Sequence, residues 1–355
     1  MTDLRISSLK TLMKESKISA MLISKDENVR YLSGFTGDSA VLIITDSEQI
    51  LITDSRYTEQ AQKETENFMI AEQKEGLWKK TAEEILRLKI KKIGFEGHHL
   101  SYSVYLALSK LLPNVELCHI SLENFREVKD KEEISNIQKA CAIADIAFEE
   151  VLKFLRPGVK EFEVAAFLEN TMRMNGSEKA AFDTIAVSGV RGSLPHGVPT
   201  EKLIILGEFV TMDFGARFNG YVSDITRTVA IGSVTDEMRK AYDAVLKTQE
   251  AVLSYIKPNV SGVEVDSAAR KMLGEYEKYF AHGLGHGVGL EIHEEPRLSK
   301  RSKCKSLKEN MVVTDEPGVY IEGKFGIRIE DTVLVTKNGG VPLTKSDKFF
   351  LEVKI

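Results

Sequence analysis

A chain of 355 residues exceeds what one ordinary hydrophobic core supports, and its 43% apolar content is enough to bury two. Lys and Arg number 48 against 53 Asp and Glu, and a net charge of −5 provides no field suited to nucleic acid or an anionic membrane. A peptide or small-molecule partner fits that balance better.

The opening MTDLRISSLK lacks the apolar core of a signal peptide, and no uncharged run approaches a membrane span, so a cytoplasmic protein is expected. An amphipathic stretch near Leu4 to Lys14 precedes short apolar runs at 20–23, 40–45 and 49–53. Helical periodicity then appears at 56–64 and 81–89, followed by an apolar run at 92–95 and a helix beginning at the N-cap residue Ser101. These alternations predict an α/β domain over 1–125. Asp54, Arg56 and Tyr57 read as the cap of a strand-to-helix turn, Trp78 as a packed side chain, and His98, His99 and His119 as structural. Cys118, Cys141 and Cys304 are too scattered for a disulfide framework or a thiolate metal site.

The charge-dense segment Phe125 to Glu133 leads into a long helix, which sets the second domain at 126–355. An internal repeat runs through it. Arg156-Pro157-Gly-Val159 and Lys257-Pro258-Asn-Val260 are each followed by Glu-Val at the same spacing, at Glu163-Val164 and Glu264-Val265. Helical stretches flank both copies (134–154 and 164–174; 237–256 and 265–276), and strand-like sequence follows each. Two copies of helix, helix and hairpin predict a pseudo-twofold α+β domain, a curved antiparallel sheet inside a layer of helices.

Asp213, Asp224, His286, Glu316 and Glu330 are the candidate metal ligands. Asn219-Gly220 signals a two-residue type I′ turn, and with Phe218 opposite Tyr221, Asp213 falls opposite Thr226 and Gly215 opposite Asp224. Both aspartates then share one face of the hairpin. Glu316 and Glu330 share a face only if their hairpin loop holds an odd number of residues. Arg328 joins Glu330 on its face, to orient a carboxylate or hold substrate, or to serve as an ordinary ion-pair partner of Glu330 or Asp331. Four carboxylates and an imidazole form a hard ligand set for two divalent cations, manganese foremost, with cobalt, iron(II) or zinc as alternatives. Paired ions about 3.5–4 Å apart convert a bridging water to hydroxide near neutral pH. The glycine-rich segment around His286 predicts a non-helical ligand whose glycines at 283, 285, 287 and 289 admit backbone close to the metals. His196 and His293 are candidate hydrogen-bond donors to a substrate carbonyl and its oxyanion.

These motifs resemble the pita-bread metallopeptidases, specifically the proline-peptidase branch of aminopeptidase P and prolidase. The resemblance rests on Phe182 to Arg191, Leu194-Pro-His196-Gly, Met212 to Tyr221 and His282 to Glu294. In the first domain, Tyr31 to Gly37 and Ile52 to Tyr57 resemble a creatinase-type N-terminal domain. It implies that Asp213 chelates one metal, that Asp224 and Glu330 bridge both, and that His286 and Glu316 complete the other. It further implies substrate and transition-state roles for His196 and His293, substrate contact by His282, a proton-shuttle role for Glu316, and a homodimer whose partner helps close the site. Arg297 resembles a prolidase position that binds a dipeptide carboxylate. Asp315, beside Glu316 where an apolar residue is usual, is expected to point outward on strand alternation. The activity implied is hydrolysis of the bond between an N-terminal residue and proline through a metal-bridging hydroxide. A methionine-type aminopeptidase and a non-catalytic binding module on the same scaffold are the alternatives. An N-terminal domain counts against the first, and a full ligand set counts against the second and against a metal-free creatinase-like hydrolase.

Overall fold

In the computed structural model, which describes residues 2–353, the chain divides into two units, Met1–Leu122 and Glu123–Ile355. Met1, Lys354 and Ile355, at the outer ends of the two expected domain spans, lie outside the described residues.

The first unit runs α1 (Thr2–Glu15), β1 (Ala20–Ile23), α2 (Asp26–Ser33), β2 (Ala40–Thr45), β3 (Gln49–Thr53), α3 (Thr58–Glu64), β4 (Met69–Glu72), α4 (Leu77–Arg87), β5 (Lys92–Phe95), α5 (Tyr102–Leu111) and β6 (Glu116–His119). Its strands form one mixed sheet in the order β4-β3-β2-β1-β5-β6. The central strands β1 and β2 are buried along their whole length, which is why they read as unbroken apolar runs. The edge strands β4 and β6 give no such signal because they bury only their middles, and α2 gives none because it spans only eight residues. Ser101 caps α5, its Oγ accepting from Val104 N at 3.4 Å. Asp54 Oδ1 accepts from Arg56 N at 3.0 Å and from Arg56 Nε at 2.9 Å, bracing the turn into α3. Trp78, in α4, packs against the core of this unit.

The second unit contains two similar halves. In the first, α6 (Lys131–Phe154) and α7 (Glu161–Met174) cover β7 (Ile185–Ser188), β8 (Glu208–Phe214), β9 (Arg217–Phe218), β10 (Tyr221–Val222) and β11 (Ile225–Ile231). In the second, α8 (Asp236–Val252) and α9 (Gly262–Leu273) cover β12 (Gly285–Gly287), β13 (Glu294–Leu298), β14 (Val312–Asp315), β15 (Gly318–Ile321), β16 (Phe325–Arg328), β17 (Asp331–Thr336) and β18 (Gly339–Pro342). A last strand, β19 (Glu352–Val353), returns to pair with β11.

The sequence repeat has a structural counterpart at the break between each pair of helices. Gly158 and Asn259 both adopt positive φ, 90° and 68°. Gly158 N donates to Ile204 O at 2.9 Å and Ile204 N to Val159 O at 2.8 Å. In the second copy Asn259 N donates to Leu307 O at 3.2 Å and Leu307 N to Val260 O at 2.8 Å. The shared glutamates accept from the backbone N–H three residues earlier, Glu163 from Lys160 at 2.8 Å and Glu264 from Ser261 at 2.7 Å, and the adjoining Val164 and Val265 are buried.

Hydrogen bonding divides the curved surface into two larger sheets, β19-β11-β8-β7 and β13-β12-β14-β17-β18, and two two-stranded ladders, β9-β10 and β15-β16. Threonine hydroxyls join the strands of the first half to those of the second. Thr332 Oγ1 donates to Asp224 O at 2.8 Å and accepts from Asp224 N at 3.1 Å. Thr228 Oγ1 does the same for Arg328, donating at 3.0 Å and accepting at 3.2 Å, while Glu330 N donates to Thr226 O at 3.1 Å. Behind these bonds the buried Arg227 donates to Asp331 Oδ1 at 2.8 Å and to the carbonyls of Thr226, Glu330 and Ser346. Thr332→Val removes the hydroxyl from both backbone groups of Asp224 and is expected to cost about 1–3 kcal/mol. Urea unfolding of the metal-free protein measures this; an unchanged midpoint would mean that the hydroxyl does not join the sheets.

Candidate metal centre

Register brings the carboxylates together. Asn219 and Gly220 both take positive φ, 46° and 75°, as a type I′ turn requires, and Phe218 pairs with Tyr221. The ladder resumes with Asp213 opposite Thr226, the register that sets Gly215 across from Asp224. A Cβ at Gly215 would lie 2.0 Å from Ser223 O, so only glycine permits that approach. In the second hairpin, Ile321 pairs with Phe325 across the three residues 322–324, and Gly318 with Arg328. Farther on, Asp315 pairs with Asp331 in the same register, which sets Glu316 across from Glu330. The loop is odd, and the two glutamates share a face.

Carboxylate oxygens of Asp213, Asp224 and Glu330 all lie within 4.8 Å of one another. His286 Nε2 stands 3.6 Å from Asp224 Oδ2 and 3.4 Å from Glu316 Oε1, so Asp224 adjoins both groups. The residues present fit divalent cations. Asp213 Oδ1 is buried without a hydrogen-bond partner among the described residues. His286 Nδ1 faces the carbonyl of Gly287 at 3.1 Å, which places the proton there and leaves Nε2 as an acceptor. Burial above all, then the neighbouring acids, pushes the carboxyls of Asp224 and Glu330 well above their usual range. Glu316 is pushed up to about 8, by burial first, with Arg328 opposing and Asp213 adding. Cations among these groups would reverse that sign.

Arg328 spends its guanidinium on the protein. Nη2 donates to Asp213 Oδ2 at 2.5 Å, Nε to Thr226 Oγ1 at 3.0 Å, and Nη1 to Tyr320 Oη at 2.8 Å and Pro195 O at 3.3 Å. Its ion-pair partner is therefore Asp213, not Glu330 or Asp331, and it orients a candidate ligand. Tyr320, which sequence reasoning misses, also bonds His282 Nε2 at 2.8 Å. Parity is the signal that points to it, since Tyr320 lies two and four positions from Gly318 and Glu316 along one face. His282 Nδ1 faces Gly283 O at 2.8 Å, and burial, with Arg328 adding, holds the imidazole down to about 4.

One expectation is corrected. Asp315 does alternate away from Glu316, but that face is covered by α8 and α9 rather than open, so its carboxyl is fully buried. Burial, then Asp331, pushes it well above the usual range. The glycines around His286 admit close approach by neighbouring strands, and Gly283 and Gly285 also line the cavity at the carboxylates. Added Cβ atoms would meet Leu298 O at Gly283, Thr314 O at Gly285, Glu295 O at Gly287 and the Glu294 carboxylate at Gly289.

The centre opens into a cavity of about 270 Å³ lined also by Phe182, Ile185, Pro195, His196, His282, Ile292, His293 and Arg297. The rings of His286 and His293 meet edge to face at 4.4 Å, and burial, then Arg297, lowers the His293 imidazole. The His196 ring and the Arg297 guanidinium have no hydrogen-bond or ion-pair partner among the described residues. No helix of the described residues is long and apolar enough to cross a membrane.

Residues 135–337 match the model of metallopeptidase family M24, and residues 5–128 that of the creatinase/prolidase N-terminal domain. The Xaa-Pro dipeptidase of Pyrococcus furiosus is 41% identical over 353 residues, covering 98% of this chain and 99% of that protein. Among solved structures, Xaa-Pro dipeptidase from Bacillus anthracis matches with TM-score 0.96 and 41% identity over 99% of both chains. The X-Pro aminopeptidase from Thermotoga maritima matches with TM-score 0.89 and 41% identity, over 94% of this chain and 97% of that one.

The acid cluster gives metal-free protein a distinctive pH dependence. Glu316, about 8 when folded against an ordinary 4.5, retains its proton in the native state where the unfolded chain has lost it. The stability it contributes is full below the lower value and is lost as pH rises through the upper one. Above pH 6.5, where the lowered imidazoles of His282, His286 and His293 are neutral in folded and unfolded chain alike, metal-free protein is therefore expected to lose stability up to pH 8, while metal affinity rises and binding releases protons. Denaturant midpoints across that range check the first expectation; a midpoint that rises with pH would contradict it.

Proposed function

This chain belongs to metallopeptidase family M24, and on that premise we propose that it is an Xaa-Pro peptidase, hydrolysing the bond between an N-terminal residue and proline at a dinuclear centre. The observation that carries this reading is the cluster of Asp213, Asp224 and Glu330, the last two buried, adjoined by His286 and Glu316 and opening into a cavity lined by three further histidines. We take 126–355 as the catalytic domain and 1–125 as the N-terminal domain. In this reading Asp213 would hold one cation and His286 and Glu316 the other, with Asp224 and Glu330 placed to serve both. When bound, two divalent cations, manganese foremost, supply Lewis acidity and a water acidified toward hydroxide for attack on the scissile carbonyl.

The remaining work belongs to side chains. Arg328 and Thr226 hold Asp213 and Glu330 against their mutual repulsion, by the 2.5 Å contact to Asp213 and by Thr226 Oγ1 donating to Glu330 Oε2 at 2.6 Å. His196 and His293, without hydrogen bonds to their rings among the described residues, donate from the cavity wall to the carbonyl oxygen as it gains charge. Glu316 carries the proton to the departing proline nitrogen. His282, fixed by Tyr320, contacts substrate. A homodimer, its partner helping to close the site, is inferred from the family resemblance.

The N-terminal match over residues 5–128 disfavours a methionine-type aminopeptidase, and retention of every ligand position disfavours a non-catalytic module. Dipeptidase and aminopeptidase relatives stand at equal identity, so similarity does not separate those two substrates. Arg297 favours the dipeptide. It is a cation on the cavity wall with no ion-pair partner among the described residues, suited to a free proline carboxylate.

Asp224→Asn or His286→Ala, with manganese restored, is expected to lower kcat on an Xaa-Pro dipeptide by more than about 100-fold, the upper cost of losing a residue that only supports a ligand. Full activity in either variant would sink the assignment. Arg297→Ala is expected to raise KM for the dipeptide about 10- to 100-fold, the worth of a charge-assisted hydrogen bond, and to leave an Xaa-Pro tripeptide within about threefold. Equal losses on both substrates would remove Arg297 as the carboxylate reader.

A further inference from the structure

Glu161, the first residue of α7, is fully buried but does not line the cavity. Its carboxylate gathers five donors. Oε1 accepts from Ser188 N at 2.7 Å and Ser188 Oγ at 3.0 Å. Oε2 accepts from Arg191 Nε at 3.0 Å, Thr200 N at 3.1 Å and Thr200 Oγ1 at 2.8 Å. Every donor belongs to the stretch 188–200, so one side chain joins both ends of a single loop. Pro195 and His196 lie inside it.

Two further bonds hold the same two ends: Phe162 N donates to Thr200 O at 3.2 Å and Lys202 Nζ to Ser188 Oγ at 2.7 Å. On its outer side Val190, Leu194 and Val198 are 55%, 48% and 73% exposed, so apolar packing does not seat them. On its inner side the backbone of Gly192 rests on Gly326, where an added Cβ would stand 1.8 Å from Gly192 O, and Arg328 donates to Pro195 O. Arg191, drawn in by Glu161, also donates from Nη2 to Val198 O at 2.6 Å, cross-bracing the loop just past the histidine. His196 itself has no hydrogen-bond partner for its ring among the described residues, so the ring can be no better placed than the loop that carries it.

We propose that Glu161 is a positioning residue that acts through His196, clipping the 188–200 loop so that the imidazole meets the substrate carbonyl. The proposal rests on the role given to His196 above. A carboxylate answering five donors cannot be replaced by an amide without turning an N–H toward another N–H or hydroxyl, so the neutral isostere loosens the clip with little change of volume. Displacement of a group that acts only in the transition state appears in kcat more than in KM.

A double-mutant cycle on the full chain, with manganese restored and an Xaa-Pro dipeptide as substrate, tests this. Glu161→Gln is expected to lower kcat/KM about 10- to 100-fold, mainly through kcat, with manganese content unchanged. In a His196→Ala background the same substitution is expected to change kcat/KM by less than about threefold, because what it positions is gone. Thr200→Val, milder for folding, is expected to follow the same pattern with a smaller loss and decides the matter if Glu161→Gln does not fold. An equal factor in both backgrounds, wild-type kcat/KM in the single variant, or a fall in manganese content would overturn the clip while leaving the role of His196 standing. Full activity of His196→Ala would overturn both.

Discussion

Four carboxylates are crowded together, Asp224 and Glu330 buried and Asp213 and Glu316 half-buried at the cavity wall, and unpaired anions so placed repel strongly. Asp213, Asp224 and Glu330 crowd within one cluster, and Glu316 stands directly across from Glu330. Much of the second unit can be understood as the means of keeping them there. Two hairpins deliver the acids in pairs through fixed registers. Threonine hydroxyls lock one hairpin to the other, satisfying donors and acceptors that a continuous ladder would otherwise have paired. Arg328 lies among the acids on their own face, and Arg227 ties the backbone of Glu330 to Asp331 from behind. A family that uses divalent metals needs such crowding, because cations convert the repulsion into binding.

The duplicated architecture explains how one face receives acids from both halves. Each half has a helix pair with a positive-φ residue at the break and a glutamate closing the start of the second helix, and each sends a hairpin beneath that pair. The halves diverge in how they support the histidines. The first uses Glu161 against the loop of His196. The second uses Asp266, which pairs with Arg270 at 2.8 Å and accepts from Leu284 N at 3.1 Å, while Arg270 donates to the carbonyls of Phe280 and His282. Buried acids reach from helix to loop in both, from different positions.

How much the sequence reveals follows from how local each feature is. Asn219-Gly220 fixes its turn by backbone chemistry alone, so the shared face of Asp213 and Asp224 is legible from residue order and strand alternation. Glu316 and Glu330 need a loop length that neither Gly323 nor Gly326 determines, and only the pairing of Ile321 with Phe325 supplies it. Asp315 escapes the same reasoning because alternation tells which face a side chain takes but not what covers that face. Arg227, Thr332 and Glu161 are invisible for a related reason. Their partners lie roughly 30 to 120 residues away, and nothing near them in the chain distinguishes a buried arginine or glutamate from a solvated one.

The central claim is that these two hairpins and His286 hold a pair of metal ions. Anomalous diffraction at the manganese edge from crystals of the reconstituted chain tests it most directly. Two peaks are expected, one among Asp213, Asp224 and Glu330, the other beside His286 and Glu316. A single peak, or none at this face, would contradict the account.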